Sequence, residues 1–161
     1  MIGRHTLRVA GALASLWFAP GAQAACMVVG DSVGVGIGMA LNGVCSTSAK
    51  VGISSSAVAE RVQAGEHWTI ASLGSNDFPR SIAPAQRAQS EIRVRAALAS
   101  VLAKTGSRLL LVLPANGARG LVQGWAAANG VRTVSFAPGR DGIHPRSYTA
   151  LAREIRRKIG A

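Results

Sequence analysis

Cys26-Met27-Val28-Val29-Gly30-Asp31-Ser32-Val33-Gly34-Val35-Gly36 is the stretch that decides the fold. Residues 27–29 are a short apolar run with two β-branched members, which reads as a buried strand. From residue 33 to residue 41 the pattern is helical, with glycines that allow close approach to a neighbour. Asp31 and Ser32 therefore fall where a strand runs into a helix. In open α/β sheets that junction lies at the carboxyl edge, where ligands bind. A serine placed there has its own N–H at a helix N-terminus, turned toward developing negative charge. Such a serine is a candidate acyl-transfer nucleophile.

The alternation of strand and helix continues outward from this junction. Strands are expected at 48–51, 67–72, 108–113 and 132–136, and helices at 56–63, 84–104, 121–128 and 146–159. The longest helix opens on Pro84 and stops before Thr105-Gly106, as helix start and stop signals require. Ile92, Ala96, Ala99 and Ala103 are expected as its buried stripe, with Arg87, Arg93, Arg95 and Lys104 facing water. Strands joined by helices imply a parallel sheet covered on both faces. The expected fold is a three-layer α/β/α, flavodoxin-like arrangement with five parallel strands in the order 2-1-3-4-5.

The first 24 of the 161 residues read as a secretory signal peptide. Arg4 and Arg8 supply the positive start, residues 9–18 are apolar, and Ala22-Gln23-Ala24 supplies the cleavage site. A membrane anchor is the alternative, but the apolar stretch is short for a bilayer. Residues 25–161 then form one domain, expected to be periplasmic or secreted, monomeric and not stably inserted in a membrane. Export allows a disulfide between Cys26 and Cys45. If the first two strands are parallel neighbours their amino ends are adjacent, which puts the bridge within reach; two buried free thiols are the alternative.

Lys and Arg number 18 against 7 Asp and Glu, a net charge of +11, or +9 without Arg4 and Arg8. That balance suits anionic partners such as envelope polymers. With one Tyr and three Phe, a stacking platform for single-stranded nucleic acid is not expected. Metal-ligand candidates are too few for a metal site. The glycines of Val33-Gly34-Val35-Gly36-Ile37-Gly38 fall inside the helix rather than before it, so they do not make a dinucleotide loop. No cofactor is expected.

Three segments that follow strands carry polar residues: Asp31-Ser32, Gly74-Ser75-Asn76-Asp77 and Asp141-Gly142-Ile143-His144-Pro145. In a parallel sheet all three emerge at one edge. A neutral serine needs an adjacent base. His144 is the candidate, because His5 leaves with the signal and His67 precedes its strand at the opposite edge. Asp141 is placed to hold the other ring nitrogen. An oxyanion would be met by the Ser32 N–H, by the Asn76 amide and by a backbone N–H within Ile53-Ser54-Ser55-Ser56. Each motif alone is common; their order along one fold is what carries weight.

Taken together, these motifs resemble the SGNH (GDSL-type) hydrolases across nearly all of residues 25–161. Gly30-Asp31-Ser32 resembles the first family block. Gly74-Ser75-Asn76-Asp77 matches G-x-N-D, and Asp141 to Pro145 match D-G-I-H-P. Leu113-Pro114-Ala115-Asn116 is similar to a segment of the bacterial thioesterase/lysophospholipase/arylesterase subgroup. The resemblance implies a cofactor-free serine esterase with Ser32, His144 and Asp141 catalytic and Ser32, Ser55 and Asn76 in the oxyanion hole. Val33 replaces the usual leucine of the first block. Ser55 stands where the second block has a donor glycine, and a register centred on Gly52 is the alternative. The chain between Asn116 and Asp141 is shorter than usual for the subgroup, which implies a missing part of the acyl-groove wall. Short acyl groups, above all O-acetyl, on a small ester or an envelope polysaccharide are the expected substrates. A lysophospholipase or thioesterase, an acyltransferase, and a binding module with a relic site are the alternatives.

Overall fold

The computed structural model describes residues 25–161 apart from Glu66 and Arg80, so the signal-peptide reading of residues 1–24 lies outside the described residues. Strands β1 (Cys26–Gly30), β2 (Cys45–Ala49), β3 (Trp68–Ser72), β4 (Leu109–Val112) and β5 (Arg132–Val134) form one sheet. All neighbouring pairs are parallel, in the order β2-β1-β3-β4-β5. Helices α1 (Ser32–Ala40), α2 (Ser55–Glu60), α3 (Pro84–Thr105) and α4 (Arg119–Ala128) supply the four crossovers, and α5 (Tyr148–Ile159) follows the last strand. The expected flavodoxin-like order is the observed one.

Strand alternation assigns the two faces. Met27, Val29, Ala71, Leu109 and Leu111 point to a core shared with Val58 of α2, Val94, Leu98 and Val101 of α3, and Val122 of α4. Val28, Ile70, Leu110 and Val112 point the other way, to Val33 and Ile37 of α1 and Leu151 and Ile155 of α5. Successive side chains of a strand lie on opposite faces, so the central strands are mainly apolar on both, with the small polar Thr69 and Ser72 buried in β3. The result is three layers with two cores.

Two sequence expectations need correction. The buried side of α3 is Ser90, Val94, Ala97, Leu98 and Val101, whereas Ile92 is 60% exposed and Ala96, Ala99 and Ala103 face solvent. Both series have helical spacing, but Val94, Leu98 and Val101 bury far more apolar area than three alanines would. The second strand spans Cys45–Ala49, not 48–51. Its start is set by Cys45, which stands opposite Cys26 in the β1–β2 register and is joined to it by a disulfide, with 4.6 Å between the Cα atoms. Val51, read as strand, is exposed in the turn that follows. Among the described residues no helix is long and apolar enough to cross a membrane.

Candidate active site

Three segments at the carboxyl edge of the sheet build the site. The first is the turn from β1 into α1. Gly30 permits it, because a Cβ there would lie 2.7 Å from the Ser72 carbonyl oxygen on β3. The Asp31 N–H donates to that same oxygen at 3.2 Å. Asp31 caps α1: its Oδ1 accepts from the Val33 N–H at 3.0 Å and from the Ser72 hydroxyl at 3.1 Å. Burial pushes its carboxyl up from the ordinary aspartate value, against the pull of these hydrogen bonds. Ser32 follows as the first helical residue, so its N–H has no acceptor within the helix.

The second segment is the loop between β5 and α5. It is pinched shut by an antiparallel bridge between Pro138 and Pro145. Two backbone bonds form the bridge, from the Gly139 N–H to the His144 carbonyl at 2.7 Å and from the Arg146 N–H to the Ala137 carbonyl at 2.9 Å. Within the loop, Asp141 Oδ1 accepts from the N–H groups of Ile143 at 2.9 Å and His144 at 3.0 Å. Its Oδ2 lies 2.6 Å from His144 Nδ1. The Ile143 N–H first, then the His144 ring and N–H, hold the Asp141 carboxyl well below the usual carboxylate range. On the far side of the ring, His144 Nε2 lies 2.9 Å from Ser32 Oγ. With the proton on Nδ1, facing the carboxylate, Nε2 is free to accept from the serine hydroxyl. Residues 112 apart in sequence thus form one hydrogen-bonded chain, Ser32–His144–Asp141.

The third segment is the turn after β3. Asn76 is exposed, and its Nδ2 donates one bond to the Ile53 carbonyl at 2.8 Å. An amide nitrogen has two hydrogens, so a second remains for a ligand. The turn is braced by a residue that sequence motifs did not assign a role. Asn116, after β4, donates from Nδ2 to the carbonyls of Ser75 at 2.8 Å and Phe78 at 3.0 Å, and its Oδ1 accepts from the Ala118 N–H.

Ser55 departs from its expected place. Both its N–H, at 2.9 Å, and its hydroxyl, at 2.6 Å, donate to Asp77 Oδ2, and the residue is buried. Its N–H is therefore committed inside the protein and is removed from the oxyanion set. Asp77 follows Asn76 directly, and only its carboxylate could have hinted at this tie in the sequence. Gly52, the alternative, is exposed in the turn after β2 with φ +77°, a conformation that favours glycine. Lys50 binds the Gly30 carbonyl through its N–H, so this turn leaves the sheet beside the β1–α1 junction.

No family model and no curated relative matches the sequence. Solved structures do match the fold. One, from Bacteroides fragilis and assigned as an acylhydrolase, superposes with a TM-score of 0.58 at 15% identity, covering 84% of this chain and 86% of its own. Another, a G-D-S-L lipolytic family member from Veillonella parvula, gives a TM-score of 0.56 at 14% identity, over 82% of this chain and 94% of its own. The chain shares the three-layer α/β/α fold of these solved structures.

Proposed function

We propose that this protein is an exported serine esterase acting on short-chain acyl esters, O-acetyl esters above all. The carrying observation is the Ser32–His144–Asp141 chain, with separations of 2.9 and 2.6 Å. Ser32 Oγ attacks the ester carbonyl while its proton passes to His144 Nε2. Asp141 holds the ring in the tautomer that can accept this proton and stabilises the imidazolium that results. The tetrahedral oxyanion is met by the Ser32 N–H and the second Asn76 Nδ2 hydrogen, with Gly52 as the third donor in place of Ser55. As the carbon–oxygen bond to the alcohol breaks, His144 returns the proton to the leaving oxygen. Water then attacks the acyl-serine, gives its proton to His144, and the acid departs as Ser32 recovers its hydrogen.

Two further features support the reading. The Cys26–Cys45 disulfide fits an oxidising compartment, as export of residues 25–161 requires. The segment between Asn116 and the Asp141 loop holds only α4 and the short β5, which leaves little chain for an acyl-groove wall. The test is covalent trapping. A fluorophosphonate should add once, to Ser32, as read by intact and peptide mass, and the Ser32→Ala protein should take up none. Native protein that stays unlabelled, or a label on another serine, counts against the assignment.

A further inference from the structure

Asn76 is shared between the candidate active site and a cavity of ≈ 690 Å³ that runs along the N-terminal half of α3. Neither Ser32 nor His144 lines this cavity, so the triad does not account for it. Pro79, Ile82 and Ala85 give it an apolar part. The rest of the α3 lining is polar: Gln86, Gln89, Ser90 and Arg93 have the three- and four-residue spacing that stacks side chains along one side of a helix.

Arg93 is the fixed point of that face. Its Nη2 donates to the buried Ser90 hydroxyl at 2.9 Å, and its Nε lies 3.9 Å from the buried Asp77 Oδ1. Asp77 offsets part of the guanidinium's charge, but its Oδ2 is already taken up by Ser55. The Arg93 side chain is 51% exposed, and its Nη1 bonds no described residue. Asp77 is the one carboxylate among the described lining residues. A guanidinium anchored at its base, with an open edge, is preorganised for an oxyanion and loses little entropy on binding one. Two amides beside it suit hydroxyl groups, and the apolar lining suits the C–H face of a sugar ring. An acyl chain would leave these polar groups unpaired, so the lining fits the alcohol portion of an ester instead.

We infer, on the esterase reading above, that this cavity is the leaving-group subsite and that Arg93 selects an ester whose sugar-sized alcohol portion carries a carboxylate or phosphate. Asn76 would then hold the carbonyl oxygen at the mouth while the charged end reaches Arg93. The net positive charge of the chain acts in the same direction.

The test compares substrates that differ in one charge: an O-acetylated methyl galacturonoside and its methyl ester. The native protein should prefer the free acid in kcat/KM by about tenfold or more, the range of a charge-assisted hydrogen bond. In Arg93→Met that ratio should fall to near one. Arg93→Lys, which keeps the charge but not the fork, should fall between. An acetyl ester of glycerol phosphate separates the two anions: a larger Arg93-dependent rate on it supports the subsite with phosphate as ligand. A ratio near one in the native protein overturns the inference. So does a ratio that Arg93→Met leaves unchanged, or an equal loss on all substrates, which would make Arg93 a structural tie to Asp77. If the native protein hydrolyses none of them, the esterase reading fails instead. Calorimetric binding of unacetylated methyl galacturonoside and its methyl ester, to native and Arg93→Met protein, then decides the subsite by itself.

Discussion

Asp141 is exposed, yet two backbone N–H groups and the His144 ring fix both its oxygens. Because these contacts hold its carboxyl well below the usual range, it stays ionised across the working pH range. The base must be neutral to accept the serine proton, so kcat/KM should rise with pH through a single ionisation. A depressed carboxyl is lost only when pH falls through its folded value, below the working range, so the acid limb should show the slope of one proton. A slope of two protons would contradict this. Asp141→Asn should cost on the order of 10³–10⁴ in kcat, by comparison with other triads. On the oxyanion side, Asn76→Ala should lower kcat by about 10²–10³ with little change in KM. Gly52→Ala and Ser55→Ala separate the two candidate donors. Alanine at 52 is strained at positive φ and should displace the donor, lowering kcat by up to about 10². Alanine at 55 keeps its N–H bond to Asp77 and loses only the hydroxyl bond, so its effect should be on stability, about 1–3 kcal/mol by thermal or urea unfolding. A kcat that Gly52→Ala leaves unchanged would take the role from Gly52, and a kcat lost in Ser55→Pro, which removes the N–H, with Gly52→Ala tolerated would return it to Ser55.

At the scale of elements, the sheet edge gathers the site. The strand order and the convergence of three post-strand segments were legible because the apolar runs of β1 and β4 mark buried strands and charged or amide residues begin where β1, β3 and β5 end. Details that depend on tertiary competition were not. Ile92, Ala96 and Ala99 have perfect helical spacing, but a helix beside a sheet turns its bulkier stripe inward, and Val94, Leu98 and Val101 win. The tie between Ser55 and Asp77 and the brace from Asn116 join residues 22 and about 40 positions apart, and no local pattern encodes them. The disulfide was foreseen from the expected adjacency of β1 and β2, and it pins the start of β2 at Cys45. It closes a 19-residue separation, worth about 3 kcal/mol in the chain-entropy treatment. Reduction, or Cys26→Ser with Cys45→Ser, should therefore lower the Tm by about 10 °C for a domain of this size. A Tm indifferent to reduction would mean that the bridge constrains little.

For the whole molecule, small size is the chief determinant of the proposed specificity. Residues 25–161 spend their apolar side chains on two cores, one on each face of the sheet, and little chain remains to wall a long acyl groove. A methylene buried in such a groove adds about 0.8 kcal/mol, roughly fourfold in kcat/KM. On 4-nitrophenyl esters, kcat/KM should therefore peak at acyl chains of about two to four carbons, where this increment is absent. A steady rise to eight carbons or more would point to a lysophospholipase or thioesterase, with the triad assignment unaffected.

The central claim is that Ser32 is the nucleophile and His144 its base. It is tested most directly by 4-nitrophenyl acetate hydrolysis with native protein, Ser32→Ala, His144→Ala and the double variant, each shown to be folded by its unfolding curve. The account predicts that each single variant loses nearly all activity. It also predicts that the double variant is no worse than either, because the residues act as one unit. A folded Ser32→Ala protein that keeps more than about a tenth of the native rate, where triads lose several orders of magnitude, would contradict it.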